Sequence, residues 1–262
     1  MSKSLSIEIN ASGIATLTLN RIERHNAFDD EFIVEMTSAL EGLATNPAVR
    51  VLVLAATGKS FSAGADLGWM KRMASYGEAE NLADAQKLAK LMHTLDSLPI
   101  PTIAAVQGPA YGGGVGLIAC CDMVFASPEA QFSLTEVKLG LIPAVISPYV
   151  IRKIGVAQAR RYFLSAERFS STTAQRIGLV HELAPQDEVI VLAHSWATQL
   201  LNNGPMAMAA AKRLVAEVAD RPICSELNDL CAKRIAAQRV SNEGQEGLTA
   251  FIEKRPPNWV KH

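Results

Sequence analysis

The chain has 262 residues, 49% of them hydrophobic and 19% charged, with a net charge of −1. It is long enough for one large α/β domain with a sizeable core, and it carries no block of like charge, so a general nucleic-acid surface is not expected. The opening MSKSLSIEINASG lacks an apolar run of signal-peptide length, and no segment reaches about 18 uninterrupted apolar residues, which predicts a cytoplasmic protein without a membrane span.

Alternation in residues 5–9 and 14–19, around Asn10-Ala11-Ser12-Gly13, predicts a β-hairpin. Asp29 and Asp30 then suit the cap of a helix whose apolar positions are Phe32, Ile33, Met36, Ala39, Leu40 and Leu43. A buried strand over 49–56 follows, and strand, helix and strand in this order suggest a crossover between parallel strands. Next comes a small-residue turn, Gly58-Lys59-Ser60-Phe61-Ser62-Ala63-Gly64-Ala65-Asp66-Leu67, which by itself reads as a loop. Leu82, Ala85, Leu88, Ala89, Met92 and Leu95 mark an amphipathic helix that ends before Pro99 and Pro101.

Residues 103–117, IAAVQGPAYGGGVGL, run from a strand-like stretch through Gly112, Gly113 and Gly114 into a helix-like one. Such a turn lets a ligand approach the main chain, and the helix start offers unpaired N–H groups to an anion or oxyanion. Three glycines equally suit tight packing of helix on strand. No Gly-Lys-Ser/Thr follows and the offsets are not G-x-G-x-x-G, so the two common phosphate motifs are excluded.

Beyond it the pattern predicts a strand at 123–126, a segment from Ala130 through Glu136 to Pro143, and a helix begun near Pro148 and ended by Gly155. Helical patterns follow over 157–164, 171–177, 187–201, 205–218, 223–240 and 243–251. The expected division is a core over residues 1–200 and a helical region over 201–262 that could dock on a partner subunit. Cys120, Cys121, Cys224 and Cys231 contain no C-x-x-C and read as reduced thiols. His25, His93, His181, His194 and His262 form no ligand pattern, and no metal is expected. Asp122 reads as a structural hydrogen-bonding residue.

Three stretches together resemble the enoyl-CoA hydratase/isomerase (crotonase) superfamily: Phe61-Ser62-Ala63-Gly64-Ala65-Asp66-Leu67, Ala105-Val106-Gln107-Gly108 with Tyr111-Gly112-Gly113-Gly114, and Ala130-Gln131-Phe132 through Glu136 to Pro143. The terminal Phe251-Ile252-Glu253-Lys254-Arg255 agrees. The resemblance implies an α/β spiral of ββα units with a helical C-terminal region, assembled as a homotrimer or a dimer of trimers. It implies an acyl-CoA substrate, no cofactor beyond the coenzyme A the substrate carries, and an oxyanion hole from the N–H groups of Ala65 and Gly113. Glu136 would be the acid/base. Ala63, Asp66, Leu67 and Gly68 would line the coenzyme A path. Lys254 either reaches coenzyme A from a neighbouring subunit or is an ordinary exposed lysine.

Hydratases of this kind use a second glutamate where this chain has Gly116. Two carboxylates can hold a water between them, whereas one suffices for a 1,3-proton shift. The segments 65–70, 116–122 and 139–149 nevertheless look like those of bacterial methylglutaconyl-CoA hydratases of leucine catabolism, which lack the same glutamate. Hydration of 3-methylglutaconyl-CoA is therefore expected first, with an enoyl-CoA isomerase or a general enoyl-CoA hydratase as alternatives. Open space beside Gly116 is expected to admit the substrate's own carboxylate or a water. Ala144, Val145, Ile146 and Ser147 replace a glycine run and should reshape the acyl pocket. Tyr111, Ser147 and Tyr149 are candidate polar groups there. RNA binding through residues 81–98 would rest on Lys87 and Lys90 alone, a weak stripe.

Overall fold

The hairpin forms as its alternation predicts. In the computed structural model, which describes residues 4–260, β1 (Leu5–Ile9) pairs antiparallel with β2 (Ile14–Leu19), Leu5 opposite Leu19. The side chain of Asn10 closes the turn by accepting from the N–H groups of Ser12 and Ile14. Asp29 caps α1 (Asp30–Thr45), accepting from the Phe32 N–H at 3.0 Å, and the helix returns the chain to β3 (Val51–Ala56) parallel to β2.

α2 (Leu67–Met73) and α3 (Glu78–Asp96) lead to β4 (Thr102–Val106), parallel to β3. Then follow β5 (Ala110–Tyr111), α4 (Gly113–Cys120), β6 (Met123–Ala126), β7 (Gln131–Ser133) and a single 3-10 turn at Glu136–Leu139. α5 (Ser147–Ser165) is broken at Gly155, whose φ of +73° interrupts it where the sequence predicts a helix end. β8 (Phe169–Ser170), α6 (Ser171–Arg176), β9 (Glu182–Leu183) and α7 (Val189–Leu200) precede three further helices, α8 (Pro205–Val218), α9 (Ser225–Val240) and α10 (Asn242–Glu253).

The strands form a six-stranded sheet in the order β1-β2-β3-β4-β6-β9, parallel after the first pair, and a small sheet β5-β7-β8. Single bridges, Ser62 to Ala110 and Phe28 to Ala65, continue the small sheet. Each turn of the chain thus gives one long strand to the first sheet and one short extended piece to the second before its helix, which is the expected ββα spiral. Alternation sets both faces of the large sheet. Val51, Val53, Ile103, Ala105 and Phe125 pack against Val189, Ala193 and Ala197 of α7, while Leu17, Leu52, Leu54 and Val106 face α1, α3 and α4. Each of the valines, leucines, isoleucines and phenylalanines among them, fully buried, stabilises the fold by roughly 1.5–3 kcal/mol.

Several short elements were hidden in the sequence, among them α2 and the two-residue strands β5, β8 and β9. α2 has only seven residues and contains Gly68, and β5 has two, so neither shows a readable period. In α8, α9 and α10 only Leu227 and Ala250 are buried, whereas Ile235, Leu248, Phe251 and Ile252 are exposed. No helix of the described residues is long and apolar enough to cross a membrane. Met1, Ser2, Lys3, Lys261 and His262 lie outside the described residues.

Candidate active site

Two turns from distant parts of the chain meet at the start of α4. Tyr111 N–H donates to the Ser62 carbonyl at 2.9 Å and Phe61 N–H to that of Pro109 at 3.0 Å, which locks the loop after β3 onto β5. A β-carbon on Gly64 would stand 2.9 Å from the Tyr111 carbonyl and 3.8 Å from the Gly113 nitrogen, so the two backbones touch. Phe28 N–H donates to the Gly64 carbonyl and Asp66 N–H to that of Phe28, bonds that flank Ala65 and leave its own N–H unused. The Gly113 N–H belongs to the first turn of α4, where helix geometry supplies no acceptor. Among the described residues neither donor has a partner.

The glycines answer to conformation and to packing. Gly112 has φ +50° and ψ −120°, a conformation closed to side chains, and its N–H donates to the Ser133 carbonyl. A β-carbon on Gly113 would overlap Cζ of Phe28, whose ring is the floor beneath the turn. Trp69 packs beyond Phe28, its ring tilted at 50° with 6.5 Å between centroids, and donates from Nε1 to the buried Asp84 carboxylate at 2.7 Å. Phe28, Trp69 and Asp84 therefore brace the turn. Phe28 and Asp84 carry no sequence signal for these roles, which depend on contacts between α3, α2 and the loop before α1.

Glu136 opens the 3-10 turn that follows β7, and its Oε1 lies 3.2 Å from the place a Gly112 β-carbon would take. Its Oε2 is buried without a hydrogen-bond partner. Burial pushes the Glu136 carboxyl above the usual carboxylate range, offset in part by a main-chain hydrogen bond. Behind it the stacked rings of Phe132 and Phe169, 5.6 Å apart, fix the segment.

Asp66, expected on the coenzyme A path, is the cap of α2. It accepts from Gly68 N–H at 2.8 Å, Trp69 N–H at 3.2 Å and Arg24 at 3.1 Å. Burial opposes its charge, but these hydrogen bonds and the Arg24 guanidinium outweigh burial and hold its carboxyl below the usual range. Asp66→Ala should cost about 1 kcal/mol. Because the folded carboxyl is the stronger acid, that contribution is present above the unfolded value and is lost as pH falls through the folded one. Denaturant titrations of wild type and variant at about pH 6 and about pH 3 should show the difference shrinking at the lower pH. Ala63, Leu67 and Gly68 are exposed beside the turn, and Lys254 ends α10, which packs on α8 and α9.

One expectation is corrected. Gly116 does not open space: a β-carbon there would overlap Cγ2 of Ile146 and stand 3.2 Å from Cε of Met92. Of the candidate polar groups, Ser147 has its hydroxyl engaged at the helix start and the two tyrosines have cations over their rings. Ser147 donates to the Ala144 carbonyl, and the Tyr149 ring lies under Arg152; the Tyr111 ring lies under Arg168. Asp122 accepts from Thr102 N–H and from Lys212, the structural role expected of it. Lys87 and Lys90 are paired with Asp84 and Glu41. All four cysteines are free thiols, and among the described residues no group of His, Cys, Asp and Glu could hold a metal. A cavity of about 320 Å³ at the far end of α4 is lined by Asp96, Cys121, Arg152, Lys153 and Lys212, with its cations turned to Asp96, Asp122 and the Asp122 carbonyl.

Two free N–H groups beside a buried carboxyl can steady negative charge on a carbonyl oxygen while a proton moves at the adjacent carbon. The chain belongs to the enoyl-CoA hydratase/isomerase family, whose model matches residues 9–262. It is similar to a solved enoyl-CoA hydratase of Shewanella pealeana, with 48% identity and a TM-score of 0.95 over 98% of this chain and 96% of that one. It is 32% identical to the 2,3-dehydroadipyl-CoA hydratase of Escherichia coli and 30% identical to the crotonyl-CoA hydratase of Syntrophomonas wolfei, each over 94% of both chains.

Proposed function

We propose that the protein hydrates an α,β-unsaturated acyl-CoA, with 3-methylglutaconyl-CoA, giving 3-hydroxy-3-methylglutaryl-CoA in leucine catabolism, as its substrate. The observation that carries the chemistry is the Glu136 carboxyl set against Gly112, beside the unused N–H groups of Ala65 and Gly113. In this reading the thioester oxygen lies between the two donors. The Glu136 carboxylate takes a proton from water as the water oxygen bonds to C3, and the C2=C3 electron pair moves into an enolate. Glu136 then returns the proton to C2, so that one water has been added. The acyl group is chosen on the segments 65–70, 116–122 and 139–149, since the named relatives differ in theirs.

A second reading, an enoyl-CoA isomerase, is favoured by the single carboxylate: one group that removes and returns a proton needs no water. The two separate in one experiment. The purified protein is incubated with 3-methylglutaconyl-CoA, crotonyl-CoA and a 3-enoyl-CoA in isotope-labelled water, and products are followed by mass spectrometry. Label in 3-hydroxy-3-methylglutaryl-CoA is expected; a shifted double bond without oxygen uptake would establish the isomerase instead. The protein is further read as a cytoplasmic homotrimer or dimer of trimers, with Lys254 reaching coenzyme A across the interface. The exposed Phe251 and Ile252 beside Lys254 support that assembly.

A further inference from the structure

We propose that Ile146 is a specificity-determining residue which holds the site to one ionisable group: its side chain fills the space that a side chain at position 116 would need, in the first turn of the helix whose N-cap glycine faces the carboxyl of Glu136. This rests on the acyl-CoA reading above.

Gly112, the N-cap of α4 and not itself helical, lies four residues before Gly116, whose N–H donates to the Gly112 carbonyl at 3.2 Å. The Gly112 β-position faces Glu136 Oε1 at 3.2 Å, and the Gly116 β-position overlaps Cγ2 of Ile146 and lies 2.9 Å from its Cβ. The isoleucine methyl and the glutamate carboxyl therefore lie against two glycines one hydrogen-bonded turn apart. Ile146 cannot readily turn aside. It is β-branched and 3% exposed, and its carbonyl accepts from Val150 N–H at 3.1 Å as α5 begins.

A glutamate at 116 is thus excluded by packing as well as absent from the sequence. The two departures from the family pattern, Gly116 and the bulky residues after Pro143, form one contact. Its chemical consequence is that no second carboxylate stands beside Glu136 to order an attacking water. The site is biased toward acyl groups that bring their own polar group, or toward proton shifts that need no water, and against plain straight-chain enoyl-CoA.

The test compares Gly116→Glu, Ile146→Gly, the double variant, and the same double carrying Gln at 116. Thermal midpoints need no substrate. Gly116→Glu is expected to unfold earlier than wild type or fail to fold, and adding Ile146→Gly should restore it. With crotonyl-CoA, the folded double variant should exceed Ile146→Gly by about 10-fold or more in kcat with little change in KM, since a second acid/base acts in the transition state. The Gln version should show no gain. A Gly116→Glu protein as stable as wild type, or a folded double variant no faster than its Gln counterpart, would overturn the proposal. Stability rescue in the double variant, with a wild-type protein that turns over no enoyl-CoA, would instead overturn the reading of function, and the specificity role with it, while leaving the packing exclusion in place.

Discussion

Glu136→Gln is expected to lower kcat for the acyl-CoA reaction by about two to four orders of magnitude, the span attributed to a positioned general acid–base. The change keeps the shape of the side chain, so KM for the acyl-CoA should move little and the loss should fall on the chemical step. A readout in protein stability accompanies it. Burial raises the folded carboxyl of Glu136 above its unfolded value, and Oε2 has no hydrogen-bond partner. A group of that kind favours the fold while protonated, and the advantage is lost as pH rises through the folded value. The glutamine variant carries no such charge, so its thermal midpoint should exceed that of wild type at neutral pH and converge with it in acid. Activity and stability would then move in opposite directions at one residue, as expected where burial of a charge serves chemistry. A variant as active as wild type would remove Glu136 from the reaction, whatever its stability.

Much of this was legible in the residues, for identifiable reasons. The hairpin, the capped α1 and the parallel β3 follow from alternation, from Asp29 before an apolar period and from an unbroken Val/Leu run. The glycine turn announced a place where backbone is approached closely, and the structure gives its glycines separate tasks: Gly112 an excluded conformation and Gly113 contact with an aromatic floor. What stayed hidden was whatever depends on contacts across the spiral. Phe28 lies far from Gly113 in sequence, and Trp69 meets Asp84 only because the short α2 folds onto α3. Gly116 shows the same limit more sharply. A missing side chain reads in sequence as a vacancy, yet Ile146, thirty positions on, already occupies it.

The second large effect concerns atoms that no side-chain substitution reaches. Replacing the Ala65 amide by an ester, with the α-hydroxy acid of alanine introduced at that codon, removes the N–H and leaves every side chain in place. This donor has no acceptor among the described residues, so the fold should lose little. The one native bond affected is that from Phe28 N–H to the Gly64 carbonyl, which becomes an ester carbonyl and a poorer acceptor, at a cost of about 1 kcal/mol or less. Catalysis should lose far more. Removal of one oxyanion donor typically costs about 2.7–4 kcal/mol of barrier, or about 10²–10³ in kcat. The effect is large because Ala65 and Gly113 are held in place before any substrate arrives, by the bonds flanking Ala65 and by the Phe28 ring beneath Gly113. Fixed donors need no reorganisation as charge develops on the thioester oxygen. The ester protein should therefore retain its thermal midpoint and its binding of a saturated acyl-CoA, which develops no such charge, while kcat falls. A parallel loss of kcat and of saturated acyl-CoA binding would mean that the Ala65 N–H holds the ground state as tightly as the enolate, and its place as a transition-state donor would be lost.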